Sequence, residues 1–233
     1  MRIAVVDDDG DVVAFVRAAL IEVGYHCEGF ATAAALLAAL RRDTFDLLLL
    51  DWNLPDRPGI EILRTVRATM SPAIGVIMLT SRADKLDITA ALGSGADDYV
   101  VKPESAAVIA ARVAAVLRRT APTPQPVRTV RFGDHAFDRL TASVAVAGID
   151  IALSAKEFQL ALTFFENLHR PMSRGYLLES VWQSDATLPT RTLDMHVSRI
   201  RTKLKLVPEN GFRIVAISGY GYRLEQFDPG ECA

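Results

Sequence analysis

Cysteine is scarce in this chain, and long apolar runs are missing. Among its 233 residues only Cys27 and Cys232 are cysteines. Two distant thiols without metal-type spacing argue against a disulfide scaffold and suit a reducing cytoplasm. No stretch approaches the roughly 18 uninterrupted apolar residues of a membrane span, so no membrane partner is expected. The start, Met1-Arg2-Ile3-Ala4-Val5, lacks a secretory apolar segment and a cleavage site, and the expected location is cytoplasmic. Neither Gly-x-Gly-x-x-Gly nor Gly-x-x-x-x-Gly-Lys-Ser/Thr occurs, which removes the usual nucleotide cradles. Half the residues are apolar and 23% are charged, so a packed core is expected. The length suits two domains.

Charge is unevenly placed. Residues 1–120 carry 13 basic and 16 acidic side chains; residues 121–233 carry 13 and 12. Within 190–223 seven basic residues face two acidic ones. An acidic front and a locally basic back suggest two tasks on one chain.

The first half alternates short apolar runs with longer amphipathic segments. Strands are predicted at 2–6, 25–30, 46–50, 75–79 and 98–101, and helices at 10–23, 32–42, 59–70, 84–94 and 105–119, with Thr32 and Asp84 as N-caps. This pattern indicates an α/β doubly wound domain with a five-stranded parallel sheet over residues 1–119. Prolines 122, 124 and 126 break helix and mark a linker over 120–129. Residues 130–228 change character: strands near 130–132, 136–139, 143–147 and 149–153, helices at 155–167, 174–183 and 190–206, then a hairpin of 212–217 and 222–225 around Gly219-Tyr220-Gly221. The first of these helices opens with a capping box, Ser154-Ala155-Lys156-Glu157. This half reads as an α+β domain.

Two acid sites follow apolar strands: Asp7-Asp8-Asp9 after Val5-Val6, and Asp51 after Leu47–Leu50. Residues just past parallel strands gather in one crevice. Carboxylates brought that close repel by about 4 kcal/mol per pair at an effective dielectric near 20. A hard divalent cation or an incoming phosphoryl group explains such an arrangement. Thr80 and Lys102 end two further strands and converge on the same mouth. Asp7 and Asp8 can hold Mg²⁺, Asp51 has lone pairs to attack phosphorus, Lys102 neutralises developing charge, and Thr80 donates a hydrogen bond.

The motifs Val5-Val6-Asp7-Asp8-Asp9, Leu50-Asp51-Trp52-Asn53-Leu54-Pro55 with Gly59, Leu79-Thr80-Ser81, Gly95-Ala96-Asp97-Asp98-Tyr99 and Val101-Lys102-Pro103 resemble a response-regulator receiver domain. The resemblance makes Asp51 the phosphoryl acceptor, with Asp7, Asp8, Asp51 and the Asn53 carbonyl around Mg²⁺. It makes Thr80 and Tyr99 the switch pair, Lys102 the phosphate-sensing cation, and the Lys102–Pro103 bond cis.

In 190–206, Leu193, Val197, Ile200 and Leu204 fall on one stripe, with Thr192, Met195, His196, Arg199 and Lys203 opposite. A basic helix with one buried stripe fits a DNA major groove. No second His or Cys stands near His196, so a metal is not expected there. Leu153-Ser154-Ala155-Lys156-Glu157-Phe158, Ser173-Arg174, Val181-Trp182, the run Arg191–Arg201 and Gly219-Tyr220-Gly221-Tyr222-Arg223 resemble the winged helix-turn-helix effector of the OmpR/PhoB family. The resemblance implies a recognition helix at 190–206. Arg199 would read bases and Thr192 and Met195 would meet thymine methyls. Arg191, His196 and Arg201 would hold phosphates, with Lys203 and Tyr220 as further contacts.

Two departures from that family pattern stand out. Ala216 and Ser218 replace a Thr and an Arg of the wing, so minor-groove contact should weaken unless Arg213 or Tyr220 substitutes. On the expected dimer face, Ile88 and Val108 replace a Lys–Glu pair, while Arg112 and Arg118 are expected to face Asp97 and Asp98. The implied partners are a sensor histidine kinase, promoter DNA, a second copy of the chain on activation and RNA polymerase. The chain is not expected to be an enzyme beyond gaining and losing its own phosphoryl group. The alternatives are a small phosphohydrolase using Asp51, and a protein-binding module whose winged helix has lost DNA.

Overall fold

The computed structural model describes residues 1–69, 74–81, 85–120, 128–182 and 190–227. The chain divides into two compact units close to residue 123. In the first, five strands make one sheet: β1 (Arg2–Val6), β2 (His26–Phe30), β3 (Leu47–Leu50), β4 (Gly75–Thr80) and β5 (Asp98–Val101). The order is β2-β1-β3-β4-β5 and every pairing is parallel. Between and after them run α1 (Gly10–Glu22), α2 (Ala33–Leu40), α3 (Gly59–Thr69), α4 (Lys85–Gly93) and α5 (Ala106–Thr120).

Successive strand residues point to opposite faces, and helices cover both faces here, so the central strands must be apolar throughout. All four leucines of β3 are buried. Leu48, Leu50, Val76 and Met78 pack on one side with Leu36, Ile62, Leu63 and Val66 of α2 and α3. Leu47, Leu49, Ile77 and Leu79 pack on the other with Val16, Leu20, Val113 and Val116 of α1 and α5. The chain leaves β1 toward β2 on one side and β3 on the other, which opens a crevice beyond the carboxyl ends of β1 and β3. The elements predicted in this half are present, with no end shifted by more than two residues. The expected Asp84 cap and most of the linker lie outside the described residues.

The second unit begins with a four-stranded antiparallel sheet: β6 (Thr129–Phe132), β7 (His135–Asp138), β8 (Ser143–Val146) and β9 (Ile149–Ile151). Three helices follow, α6 (Ala155–Glu166), α7 (Arg174–Trp182) and α8 (Thr190–Lys203), and then the hairpin of β11 (Phe212–Ile217) and β12 (Gly221–Gln226). A two-residue strand, β10 (Met172–Ser173), precedes α7 and pairs with β12, giving the order β10-β12-β11. Two residues carry no periodicity, so β10 is not legible in the sequence. Gly221 explains how the two strands meet: a Cβ there would lie 2.1 Å from the Met172 carbonyl oxygen. The Ser154–Glu157 capping box forms as expected. Leu193, Val197, Ile200 and Leu204 of α8 are buried against Phe158, Phe164 and Phe165, the latter ring 4.9 Å from Phe212. Three helices followed by a hairpin wing make this the winged helix-turn-helix domain expected from the sequence.

Candidate functional site

The strand ladders continue past the strand ends and fix the backbones of the acids. The Asp7 amide donates to the Phe30 carbonyl at 3.0 Å and the Asp51 amide to the Val6 carbonyl at 2.9 Å. Asp7 and Asp51 are buried and Asp8 is exposed, and one carboxylate oxygen from each lies within 4.8 Å of the others. Asp9 stands apart from the cluster. Its carboxylate caps α1, accepting from the Asp11 amide at 2.9 Å.

Lys102 enters from the end of β5. Its Nζ donates to Asp7 Oδ2 and, at 3.0 Å, to Asp51 Oδ1. The other oxygens are also used: Asp7 Oδ1 accepts from the Asp9 amide at 3.1 Å and Asp51 Oδ2 from the Asn53 amide at 2.9 Å. Burial pushes the Asp7 carboxyl above its ordinary range, and the Lys102 contact draws it only part of the way back. For Lys102, burial alone would depress the ammonium, but its hydrogen bonds to Asp7 and Asp51 outweigh that and hold it above its ordinary value. One ammonium faces three carboxylates, so two negative charges remain over. An all-oxygen, hard donor set with that surplus fits a small divalent cation that keeps several waters.

Thr80 is fully buried at the end of β4, and its carbonyl accepts from the Lys102 amide at 2.8 Å. The Lys102–Pro103 bond is cis. Tyr99 turns its ring into the core beside Met78 and Ala91. Two features hold the loop, and of these the Asp56 tie was not read from the sequence. A Cβ at Gly59 would fall 2.0 Å from the Asp51 carbonyl oxygen, so only glycine lets α3 start this close to the acid. Asp56 accepts from the Ala33 and Ala34 amides at 3.0 and 2.8 Å, tying the Asp51 loop to the start of α2. Those two bonds hold the Asp56 carboxyl below its ordinary range. Proximity to a helix start 23 residues earlier leaves no local signal.

On the α4-β5-α5 face both acids have partners within the chain. Within the chain, Asp98 pairs with Arg112 at 3.0 Å. Asp97 does not pair with Arg118. Its carboxylate accepts from Arg67 of α3 at 2.7 Å and from the Val76 amide at 2.8 Å, and its carbonyl from Arg119 at 3.0 Å. Arg67 reaches it because its guanidinium also spans the Gly95 and Ile74 carbonyls. Arg118 is exposed and has no partner among the described residues. Ile88 and Val108 are half-buried. Asp97, Asp98, Val108, Arg112 and Arg118 border a shallow depression of about 470 Å³.

On α8 the predicted contacts separate into two groups. Arg191, Met195 and Arg199 are exposed, and neither arginine has an intramolecular partner among the described residues. Thr192 and His196 are half-buried, and His196 donates from Nδ1 to the Thr192 carbonyl at 2.8 Å with its ring edge-on to Trp182 at 5.1 Å. Arg201 and Lys203 are tied internally. Arg201 donates to the Ile214 carbonyl at 2.7 Å, and Lys203 to Glu157 at 2.7 Å and the Ala152 carbonyl at 3.1 Å. Both side chains, read from the sequence as DNA contacts, thus also join α8 to its neighbours. Tyr220 sits half-buried in the wing turn. Arg213 pairs across the wing with Glu225 at 3.1 Å and lies over Phe227.

Residues 3–114 match the family described as response regulator receiver domain. Residues 148–224 match the family described as transcriptional regulatory protein, C terminal. The chain is 35% identical to the sensory transduction protein RegX3 of Mycobacterium tuberculosis, covering 96% of this chain and 98% of that one. It is 34% identical to the DNA-binding response regulator MtrA of Mycolicibacterium smegmatis, covering 95% and 96%. Among solved structures it is similar to DrrB of Thermotoga maritima, described as an OmpR/PhoB homolog, at 32% identity over 96% of this chain and 98% of that one, with a TM-score of 0.48. One family match falls on each unit, and the relatives align along nearly the whole chain: the protein belongs to the OmpR/PhoB family of two-component response regulators, a receiver domain followed by a DNA-binding domain.

Proposed function

We propose that a sensor histidine kinase phosphorylates Asp51 and that the phosphorylated chain dimerises and binds promoter DNA through α8 to regulate transcription. The observation that carries this reading is Lys102 bridging Asp7 and Asp51 at the switch point of the sheet. In the transfer, a carboxylate oxygen of Asp51 attacks the phosphorus of a phosphohistidine, the P–N bond breaks, and the imidazole leaves. Asp7, Asp8, Asp51 and the Asn53 carbonyl would hold Mg²⁺. When bound, the ion would supply positive charge that offsets the phosphoryl oxygens. Lys102 exchanges one carboxylate partner for a phosphoryl oxygen, and the Thr80 hydroxyl donates to another. Tyr99, packed beside that strand end, carries the change to the α4-β5-α5 face. The chain's own turnover is limited to acquiring and losing this phosphoryl group. It acts in the cytoplasm.

Dimers form through the face bearing Ile88, Val108 and Arg118. Each chain presents the same patch, which suits a twofold interface. Arg199 reads bases, Thr192 and Met195 meet thymine methyls, and Arg191, His196 and Tyr220 contact the backbone. RNA polymerase is a further partner at the promoter. The domain limits consistent with this are 1–119, a linker over 120–129, and 130–228. Treating the chain and an Asp51→Asn variant with a small phosphodonor and Mg²⁺ tests the reading. Intact mass should rise by one phosphoryl group in the first only, together with a shift to dimer. An unchanged mass in the unmodified chain refutes it.

A further inference from the structure

Asp194 is the one acidic residue in the Thr190–Lys203 helix, which otherwise carries Arg191, Arg199, Arg201 and Lys203. An acid on a helix that approaches phosphates costs affinity, so it calls for a compensating role. Its carboxylate accepts from the Tyr222 hydroxyl and pairs with Arg174. Tyr222 is buried in β12, the central strand of the three-stranded sheet, between Met172 of β10 and Ala216 of β11. Arg174 is the first residue of α7, where a cation meets the positive end of the helix dipole. Asp194 offsets that charge. Both guanidiniums of the cluster lie against the same ring, Arg174 at 5.2 Å and Arg201 at 5.7 Å from its centre. Asp194 and Arg201 stand seven residues apart, on one stripe of α8. That stripe is the side of α8 turned to the wing sheet, and Met195 and Arg199 lie off it.

We propose that Asp194 is a positioning residue for DNA recognition: by holding Tyr222 and Arg174 together it fixes the angle between α8 and the wing. The proposal rests on the reading of α8 as the DNA-contacting helix. A base contact depends on a side chain meeting a base edge within a few tenths of an ångström, whereas backbone attraction tolerates a change of angle. Losing the Asp194 tie therefore costs discrimination and spares non-specific binding.

The test uses the full chain with a duplex selected from a randomised library by the unmodified protein, against a scrambled duplex. The electrostatic and positioning accounts predict opposite signs for Asp194→Asn. Charge removal alone tightens binding to both duplexes. Loss of positioning weakens the selected duplex by about tenfold, the size of one lost base contact, while the scrambled duplex is bound as well as before or better. A folding defect would weaken both. Tyr222→Phe keeps the ring and removes only the hydroxyl, so it should lose part of the same discrimination, and Asp194→Asn with Tyr222→Phe should lose no more than Asp194→Asn alone. Tighter binding of the selected duplex by Asp194→Asn, or additive losses in the pair, overturns the proposal. Arg199→Ala separates this outcome from failure of the underlying reading. If that variant keeps full discrimination, or if selection enriches nothing, α8 does not read DNA and the proposal falls with it.

Discussion

Replacing Lys102 with methionine tests the electrostatic account of the crevice directly. Lys102 Nζ stands 3.0 Å from Asp51 Oδ1, with the lysine side chain 20% exposed and that of Asp51 7%. At an effective dielectric near 20, a pair at this distance attracts by about 5 kcal/mol. Desolvation of the ammonium offsets part of this, and the Asp7 contact adds to it. Breaking such a pair and leaving the carboxylates uncompensated costs about 3–5 kcal/mol. Without divalent cation, Lys102→Met should destabilise the first unit by that amount near neutral pH. Mg²⁺ should then stabilise the variant more than the unmodified chain, because no ammonium competes for the same oxygens. At a concentration near 100 times its Kd the ion returns about 2.7 kcal/mol. The penalty should also shrink as pH falls. Asp7 already has a folded-state value raised by burial, so its protonation favours the folded state below the ordinary carboxylate value and that contribution is lost as pH rises; removing Lys102 enlarges this effect. Urea unfolding followed by Trp52 fluorescence in a Trp182→Phe background reads the first unit alone, since Trp52 adjoins Asp51 and is buried. A midpoint equal to that of the unmodified chain without Mg²⁺, or equal Mg²⁺ stabilisation of both, would refute the reasoning.

Phosphorylated dimers should vary little in affinity between 0.1 and 0.5 M salt, although the Debye length falls from about 10 Å to about 4 Å. Asp97 and Asp98 already have partners within the chain and Ile88 and Val108 are apolar, so few ion pairs remain to be screened; sedimentation across that range checks this, and collapse at high salt would count against it. Buried His135 donates from Nε2 to the Leu204 carbonyl at 3.0 Å, and burial keeps its folded-state value below the ordinary one. The unfolded chain therefore takes up the proton first, so stability of the second unit should fall as pH drops below about 6.5; His135→Gln should show a flatter urea-midpoint profile, and an unchanged profile would exclude the histidine. The Cys27 thiol, pushed up to about 11 by burial, should alkylate about 100-fold more slowly than an ordinary thiol at pH 8, measured in a Cys232→Ser chain. Lys203→Gln should lower the melting temperature, because Glu157 loses its partner, yet leave the salt slope of DNA binding unchanged; a slope reduced by about one would identify Lys203 as a phosphate contact as well.

The first unit was legible because its signals are local. Leu47–Leu50 followed by Asp51 states at once that a strand is covered on both faces and that an acid waits at its end. Thr80 and Lys102 repeat the logic on neighbouring strands, and parallel topology then brings all of them to one mouth. What escaped were ties between distant segments. Nothing beside Asp56 says that it caps a helix starting more than 20 residues earlier, and nothing beside Asp97 says that Arg67, rather than Arg118, reaches it. Strand β10 was invisible for a different reason: two residues cannot show a period, and only the clearance that Gly221 gives reveals where they pair.

The basic helix shows the limit of reading charge from sequence. Its apolar stripe was unambiguous because burial has a period, but a basic side chain has no preferred partner until the fold supplies one. Arg199, Arg201 and Lys203 look alike in the sequence, at similar spacing. In the structure, Arg201 meets a wing carbonyl and Lys203 meets the carboxylate of a capping box, while Arg199 is exposed and has no partner among the described residues. Such a division has a physical rationale. A helix that must read base edges needs a fixed orientation, and long cationic side chains can reach the acids and carbonyls of neighbouring elements as well as the phosphates of DNA. The charges nearest the wing and α6 therefore anchor the helix, and the proposed reading leaves Arg191 and Arg199 for DNA. Asp194 belongs with the anchors, which is why an acid can stand on this surface at all.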